Sequence, residues 1–365
     1  MPSPLDWLES LSPWPEEFGL GRMHALLAAL GEPQRRFRAI HIVGTNGKST
    51  ATRRAAAFLA REGLSVGAYT SPHVSGWAER VQVDGEDADL EQALERVQAA
   101  AERIGATQFE VLTAAAFAEF AAADVEVAVV EAGLGGRLDA TNVLDAEVVA
   151  LTNVALDHTD VLGETREAIA EEKLAVIAPG STVVLGEPEL ESRARARGAG
   201  RVVGTEDVGR AAAEAFLGRA LEGDVEVHLP GRFDEVGDDV FAGAHNPAGA
   251  EWLVERLPRD DYVVVASILA DKDAEAMLTA LARAGDTLVA TVSHSARALP
   301  AEELATRAQP FFERVEAVAD PAAALERGRD LAGENGAVLV TGSLYLLADL
   351  TVRLQRVPWG SSASA

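Results

Sequence analysis

Along the first part of the chain, short apolar runs alternate with stretches whose apolar residues recur every three to four positions. The runs are RAIHIV (38–43), SVGAY (65–69), VEVAVV (125–130), VVALTNV (148–154) and TVVL (182–185). The helical stretches fall near 49–62, 89–104, 110–123 and 164–178. This alternation predicts a mostly parallel sheet with helices on its faces. Residues 187–230 are rich in Ala, Arg, Gly and Glu with little periodicity, and a domain boundary is expected where they end, at LPGRF.

Beyond LPGRF the alternation restarts. VFAGAHN, YVVVASIL, TLVATV, VEAV and AVLVTG read as strands, with helices near 247–256, 274–284, 301–308 and 321–331 and a last one ending near 354. The expected fold is α/β: an N-terminal parallel-sheet domain of the P-loop ATPase type over 1–230, then a smaller Rossmann-like domain over 231–365. No internal repeat is visible, and only the tail WGSSASA reads as disordered.

Composition narrows the chemistry. The 365 residues are 48% hydrophobic and 25% charged, as in an ordinary globular protein. No window approaches the roughly 18 uncharged apolar residues of a membrane span. The N-terminus is acidic and interrupted by proline where a signal peptide is basic and then apolar, so a cytoplasmic protein without a membrane partner is expected. Cysteine is absent, which excludes disulfides, thiolate metal sites and thioester chemistry, so an acyl group has to be activated by another route. A net charge of -26 argues against nucleic-acid partners while leaving room for a small anion in one local pocket. Of the 32 basic residues only Lys48, Lys173 and Lys272 are lysine, a bias that points to tasks a wide, permanently charged guanidinium cannot perform.

GTNGKST (44–50) follows a strand and opens a helix, the context a phosphate-binding loop requires. Backbone N–H groups at the turn favour phosphate oxygens, Lys48 can reach the β- and γ-phosphates, and Ser49 or Thr50 can offer a hydroxyl to Mg²⁺. In VVEAGLGGRLDATN, Glu131 closes an apolar strand at its carboxyl end ahead of Gly133, Gly135 and Gly136, which suits a hard-cation ligand. LTNVALDHTDVLG repeats that placement with Asp157 and His158 at the next strand end. Lys173 lies four residues from both Ile169 and Ile177, on the apolar face of its helix. Two readings stand for it: a carbamate formed with CO₂ that helps hold a cation, or a snorkelling lysine paired with a carboxylate.

These segments resemble the folylpolyglutamate synthase/dihydrofolate synthase family of the Mur-ligase superfamily of ATP-dependent amide ligases. The similar stretches run in the family's order over most of the chain. They are FGLGRMHALLAALG, IHIVGTNGKST, YTSPHVSGWAERV, TQFEVLTAAAF, VVEAGLGGRLDATNVL, NVALDHTDVLG with EEKLAVIAPG, LPGRF, GAHNPAGA, LADKD, SARALPAEEL and VTGSLYLLADL. The resemblance implies that Asn46, Gly47, Lys48, Ser49 and Thr50 hold ATP, joined by Arg232 and His245. It implies that Ser71, Glu131, His158 and a carbamylated Lys173 ligate Mg²⁺, two ions in all, with Ser49 and Thr50 nearby. Phe18, Gly19 and Leu20, then Thr107, Gln108, Phe109 and Glu110, and then Leu138, Asp139 and Ala140 match segments that contact the pteroate part of the substrate.

The resemblance also implies the reaction: L-glutamate added to folates, with dihydropteroate as a second acceptor, through an acyl phosphate, by a monomer that takes only small-molecule substrates. Lys48, Lys173, Arg232 and His245 would carry it. Three departures stand out. Ala242 replaces the family's Asp before GAHNP, Arg210 takes the place of an Asn that heads an Ala-rich helix, and the region before LPGRF is shorter. These departures bear on the adenosine half of the ATP site. The rivals are another amide ligase of the superfamily and a nucleotide-binding regulator that has lost turnover.

Overall fold

The structure, a computed structural model, describes residues 3–354, so the tail WGSSASA lies outside the described residues. The chain divides into two compact units. The first takes in the chain up to Pro72, Trp77–Ala155 and Thr159–His228; the second takes in His73–Gly76, Leu156–His158 and the chain from Leu229 on.

In chain order the first unit comprises α1 (Pro4–Ser10), α2 (Gly21–Ala29), β1 (Arg38–Val43), α3 (Lys48–Arg61), β2 (Val66–Tyr69), β3 (Val81–Val83), β4 (Glu86–Asp87), α4 (Leu90–Ile104) and α5 (Gln108–Ala122). There follow β5 (Val127–Glu131), β6 (Val148–Leu151), α6 (Thr159–Leu162), α7 (Arg166–Leu174), β7 (Thr182–Leu185), α8 (Glu191–Ala196), β8 (Arg201–Gly204) and α9 (Val208–Leu217). The sheet runs β4-β3-β2-β5-β1-β6-β7-β8, and only the β3 and β4 pairings at one edge are antiparallel. β1, β5 and β6 are covered on both faces, which is why they read as unbroken apolar runs. Their register, with Ile42 opposite Glu131 and Val43 opposite Leu151, brings their carboxyl ends level.

One face of this sheet carries α4 and α5 with Phe117 and Phe120; the other carries α3 and α9, where Phe58, Leu59 and Ala212 meet. Gly209 permits the α3–α9 contact, since a Cβ there would lie 2.8 Å from the Ala51 carbonyl oxygen. The stretch 187–230, weakly patterned in sequence, contains α8, β8 and α9. β8 is an edge strand with no fully buried residue, and α9 buries mainly alanine, which marks an apolar face less sharply than Leu, Ile or Val.

The second unit comprises β9 (Arg232–Val236), β10 (Asp239–Ala242), α10 (Pro247–Val254), β11 (Tyr262–Ala266), α11 (Ala274–Leu281), β12 (Thr287–Ala290), α12 (Ala301–Ala308), β13 (Arg314–Ala317), α13 (Pro321–Ala332), β14 (Ala337–Thr341) and α14 (Leu344–Leu354). Its sheet order is β13-β12-β11-β14-β10-β9, parallel except at β9. β9 escaped the sequence reading because RFDEV is charged and half exposed. No helix among the described residues is long and apolar enough to cross a membrane.

Candidate active site

Between β1 and α3 the chain makes a turn that only glycine tolerates at its start. Gly44 has φ 151°, and a Cβ there would sit 1.8 Å from Thr152 Oγ1. Gly47, at φ 77°, caps α3. The turn is braced from the end of β6: Thr45 N donates to the Asn153 carbonyl (2.9 Å), Asn46 N to Asn153 Oδ1 (2.9 Å), and Thr152 Oγ1 to the Asn46 carbonyl (2.7 Å). Sequence reading passed over Thr152 and Asn153, although a polar pair closing an apolar strand was the available signal. Lys48, half-buried at the first position of α3, donates to the Thr45 carbonyl (3.1 Å). Ser49 is buried and Thr50 half-buried in the same first turn, whose unsatisfied N–H groups favour anions.

Lys173 comes to the same turn from α7. Its side chain is buried, and its ammonium donates to the Gly44 carbonyl at 2.8 Å. Glu131, buried at the tip of β5, accepts from the backbone N–H of Ser71 (3.0 Å), just past the end of β2. Arg53 donates to Thr70 Oγ1 (3.3 Å) and to the Glu79 carbonyl, placing a buried guanidinium beside Glu131. Gly136 lies against the end of α7, since its Cβ would be 2.7 Å from the Glu172 carbonyl oxygen. The first unit thus gathers the Gly44–Thr50 turn, Ser71, Glu131 and Lys173 at the carboxyl ends of β1, β2, β5 and β6.

His158 belongs to the second unit, with φ 50°, a left-handed backbone that histidine adopts at some cost. Its neighbour Asp157 is the centre of a polar cluster there. Lys272 Nζ donates to Asp157 Oδ1 (2.5 Å) and lies 3.3 Å from His158 Nε2, Asn246 Nδ2 donates to Asp157 Oδ2 (3.1 Å), and His245 Nε2 lies 3.9 Å away. Burial opposes ionisation of Asp157, but Lys272, His158 and His245 outweigh it and hold the carboxyl at about 2. Burial lowers His245 to about 4, against the attraction of Asp157, while its Nδ1 lies 3.0 Å from the Gly243 carbonyl oxygen. Lys272, the third lysine of the biased set, thus finds its partner in Asp157. Arg232 begins β9, opposite Ala242 at a register shift in the β9–β10 pairing. Among the described residues no three His, Cys, Asp or Glu side chains cluster in a way that would hold a metal ion.

The three segments matched to pteroate contacts lie in the first unit and are tied together. Arg22, at the start of α2 just after Phe18–Leu20, pairs with Glu110 (3.1 Å) and donates to the Glu17 carbonyl (3.2 Å). The Phe109 ring fills the space that a side chain at Gly133 would need, 2.5 Å from its Cβ position. The polar groups here are turned inward. Glu110 accepts from Thr107 N and Oγ1 (2.8 and 2.9 Å), and Gln108 Nε2 donates to the Leu8 carbonyl (3.1 Å). Asp139, whose pKa burial raises, accepts from Leu134 N (2.7 Å), Thr141 N (3.0 Å) and Thr141 Oγ1 (2.5 Å). Phe18 and Leu138 stay exposed; Ala140 is buried.

Arg210 is occupied within its own unit. Its guanidinium donates to Glu214 (3.1 Å), to the Gly223 carbonyl (2.9 Å) and to the Leu221 carbonyl, fastening the irregular 218–228 segment onto α9. Arg54 and Arg61 bind the same segment from α3, through Asp224, Val225 and Glu222. Ala242 is buried in β10 and offers no side-chain hydrogen bond.

Comparison with known proteins identifies the family. The Mur ligase middle domain matches residues 42–199, and the Mur ligase, glutamate ligase domain matches 231–344. A dihydrofolate synthase/folylpolyglutamate synthase of Mycobacterium tuberculosis is 34% identical, with 82% of this chain and 80% of that protein aligned. Its Escherichia coli counterpart is 31% identical over 94% and 93%. The M. tuberculosis folylpolyglutamate synthase complexed with ADP and AMPPCP superposes with a TM-score of 0.88 at 29% identity, covering 97% of this chain and 98% of that one. A bifunctional folylpolyglutamate synthase/dihydrofolate synthase with Mn, AMPPNP and L-glutamate bound gives 0.85 at 28%, covering 97% of this chain and 98% of that one. The chain belongs to the folylpolyglutamate synthase/dihydrofolate synthase family of Mur ligases.

Proposed function

We propose that the protein is an ATP-dependent acid–amino-acid ligase that adds L-glutamate to folates, with dihydropteroate as a second substrate, through an acyl phosphate. One observation carries this reading: the Gly44–Thr50 turn, the ammonium of Lys173 on the Gly44 carbonyl and the buried Glu131 meet where β1, β5 and β6 end. Gly47, Ser49 and Thr50 hold the phosphates of ATP through backbone N–H groups at the start of α3, and Asn46, its own N–H braced by Asn153, completes the turn around them. Lys48 neutralises the charge that grows as the γ-phosphoryl group passes in line to the substrate carboxylate. Arg232 would contact the nucleotide, and His245, neutral at pH 7, acts as a hydrogen-bonding rather than a charged group.

The chemistry of the donors fits a hard divalent cation, with the buried Glu131 carboxylate bonded to the backbone N–H of Ser71, a residue that itself carries a hydroxyl. Ser71, Glu131, His158 and Lys173 would hold Mg²⁺, Ser49 and Thr50 a second ion. Mg²⁺ supplies charge neutralisation on the phosphate oxygens when bound. Lys173 would contribute as its carbamate, formed when its neutral amine adds to CO₂ and loses a proton. The amine of glutamate then attacks the acyl phosphate and expels phosphate, leaving an amide and ADP. We place this activity in the cytoplasm, in a monomer. The ligands of the relatives (ADP, manganese, L-glutamate) support the reading. The test is ADP release with labelled glutamate and either tetrahydrofolate or dihydropteroate. Label incorporated into the pteroate compound, one ADP per amide, is expected; ADP release independent of both acceptors would overturn the assignment.

A further inference from the structure

The folate-matched segments spend their polar side chains on the protein itself, and what they leave in water is apolar. Phe18 and Leu138 are each 45% exposed, and Trp14, outside those segments but on the same loop as Phe18, is 46% exposed. The Trp14 and Phe18 ring centroids lie 6.3 Å apart with planes at 57°, and neither ring belongs to the buried core beneath. Aromatic residues make up only 5% of the chain, so two adjacent rings left in water are a costly use of them.

The loop that presents them is held stiffly. Pro13 and Pro15 flank Trp14 and restrict the backbone on both sides. Ser12 Oγ donates to the Trp14 carbonyl (2.7 Å), and the Ser12 carbonyl accepts from Gln108 N (2.9 Å) at the head of α5. The exposed indole is thus fixed beside the helix end that carries Phe109 and Glu110. A ring fixed before binding loses little freedom when a second ring stacks on it.

Resting on the folate reading above, we propose that Trp14, paired with Phe18, is an aromatic shelf for the flat, uncharged ring system of the folate substrate. Charge favours this orientation. Glu16 and Glu17, exposed on the same loop, repel the anionic glutamate end of a folate and leave the ring end to the indole. The same two carboxylates disfavour an anionic membrane, and two rings are far too small a patch for a stable protein partner.

The test is steady-state kinetics of the full chain with tetrahydrofolate, alongside quenching of indole emission by dihydropteroate. Trp14→Ala should raise the folate KM about fivefold to tenfold, with kcat and the KM values for ATP and glutamate within about twofold of wild type. Trp14→Phe should recover most of that loss while removing the largest part of the quench. A folate KM for Trp14→Ala within about twofold of wild type overturns the shelf while leaving the ligase assignment standing. A wild type that turns over neither folate nor dihydropteroate overturns the assignment, and the shelf with it.

Discussion

The ammonium of Lys173 donates to the carbonyl of Gly44 at 2.8 Å, joining two residues 129 apart in the chain. The bond draws a helix whose carboxyl end also receives Gly136 onto the turn that opens α3. A lysine so placed is narrow and can be modified to a carbamate, and arginine shares neither property. Lys173→Ala should lose activity and regain part of it with added short carboxylic acids, which supply the missing anion. Lys173→Arg should stay inactive. An active arginine variant would discard the carbamate in favour of a snorkelling lysine.

Lys48 stands at the first position of α3 and bonds only to the carbonyl of Thr45 among the contacts resolved for its side chain, so removing its amine leaves the turn's own bracing intact. Lys48→Ala should keep its melting temperature and lose at least about 10²-fold in kcat, the scale of one preorganised electrostatic contact. Activity within about threefold of wild type would make the glycine turn purely structural.

Arg210 and Ala242 give the adenine question a sharper form. With the Arg210 guanidinium committed to Glu214, Leu221 and Gly223, neither position supplies a hydrogen bond to a base. Each missing neutral bond is worth about 0.5–1.5 kcal/mol, so kcat/KM for ATP over GTP should fall below about 10³ at saturating folate. Arg210→Ala should leave that ratio unchanged while lowering stability to urea by about 1–2 kcal/mol. A ratio above about 10³ would mean that other residues read the base.

His41 lies buried in β1 with Nε2 2.8 Å from Thr141 Oγ1, which in turn donates to Asp139. Burial lowers its pKa from 6.5 to about 4. The unfolded chain therefore binds a proton between pH 6.5 and 4 that the native state refuses. Its contribution to stability is intact above pH 6.5 and declines as the pH falls, by about 1.4 kcal/mol per unit at most, until both states are protonated below about 4. The urea midpoint should fall over that window in wild type and less steeply in His41→Asn. Parallel pH profiles for the two proteins would contradict the assignment.

Much of this molecule is written in local pattern. β1, β5, β6, β11 and β14 are buried on both faces, so each is a continuous apolar run that can be read without a partner. GTNGKST is legible for a similar reason: a glycine turn between strand and helix is specified by the residues that make it. What the pattern hid was half exposed or held by charge. β4, β8 and β9 are edge strands, β3 is a three-residue strand beside β4, and α9 buries mainly alanine, which marks an apolar face less sharply than Leu, Ile or Val. The lysine bias singled out Lys272, yet its partner Asp157 is 115 residues away, and only folding decides which carboxylate a buried ammonium meets. Glu110 and Asp139 are bound closer to home, Glu110 to Thr107 in a capping box and Asp139 to Leu134 and Thr141; what only the fold decides is that both carboxylates are buried, where a charge without such donors would be costly.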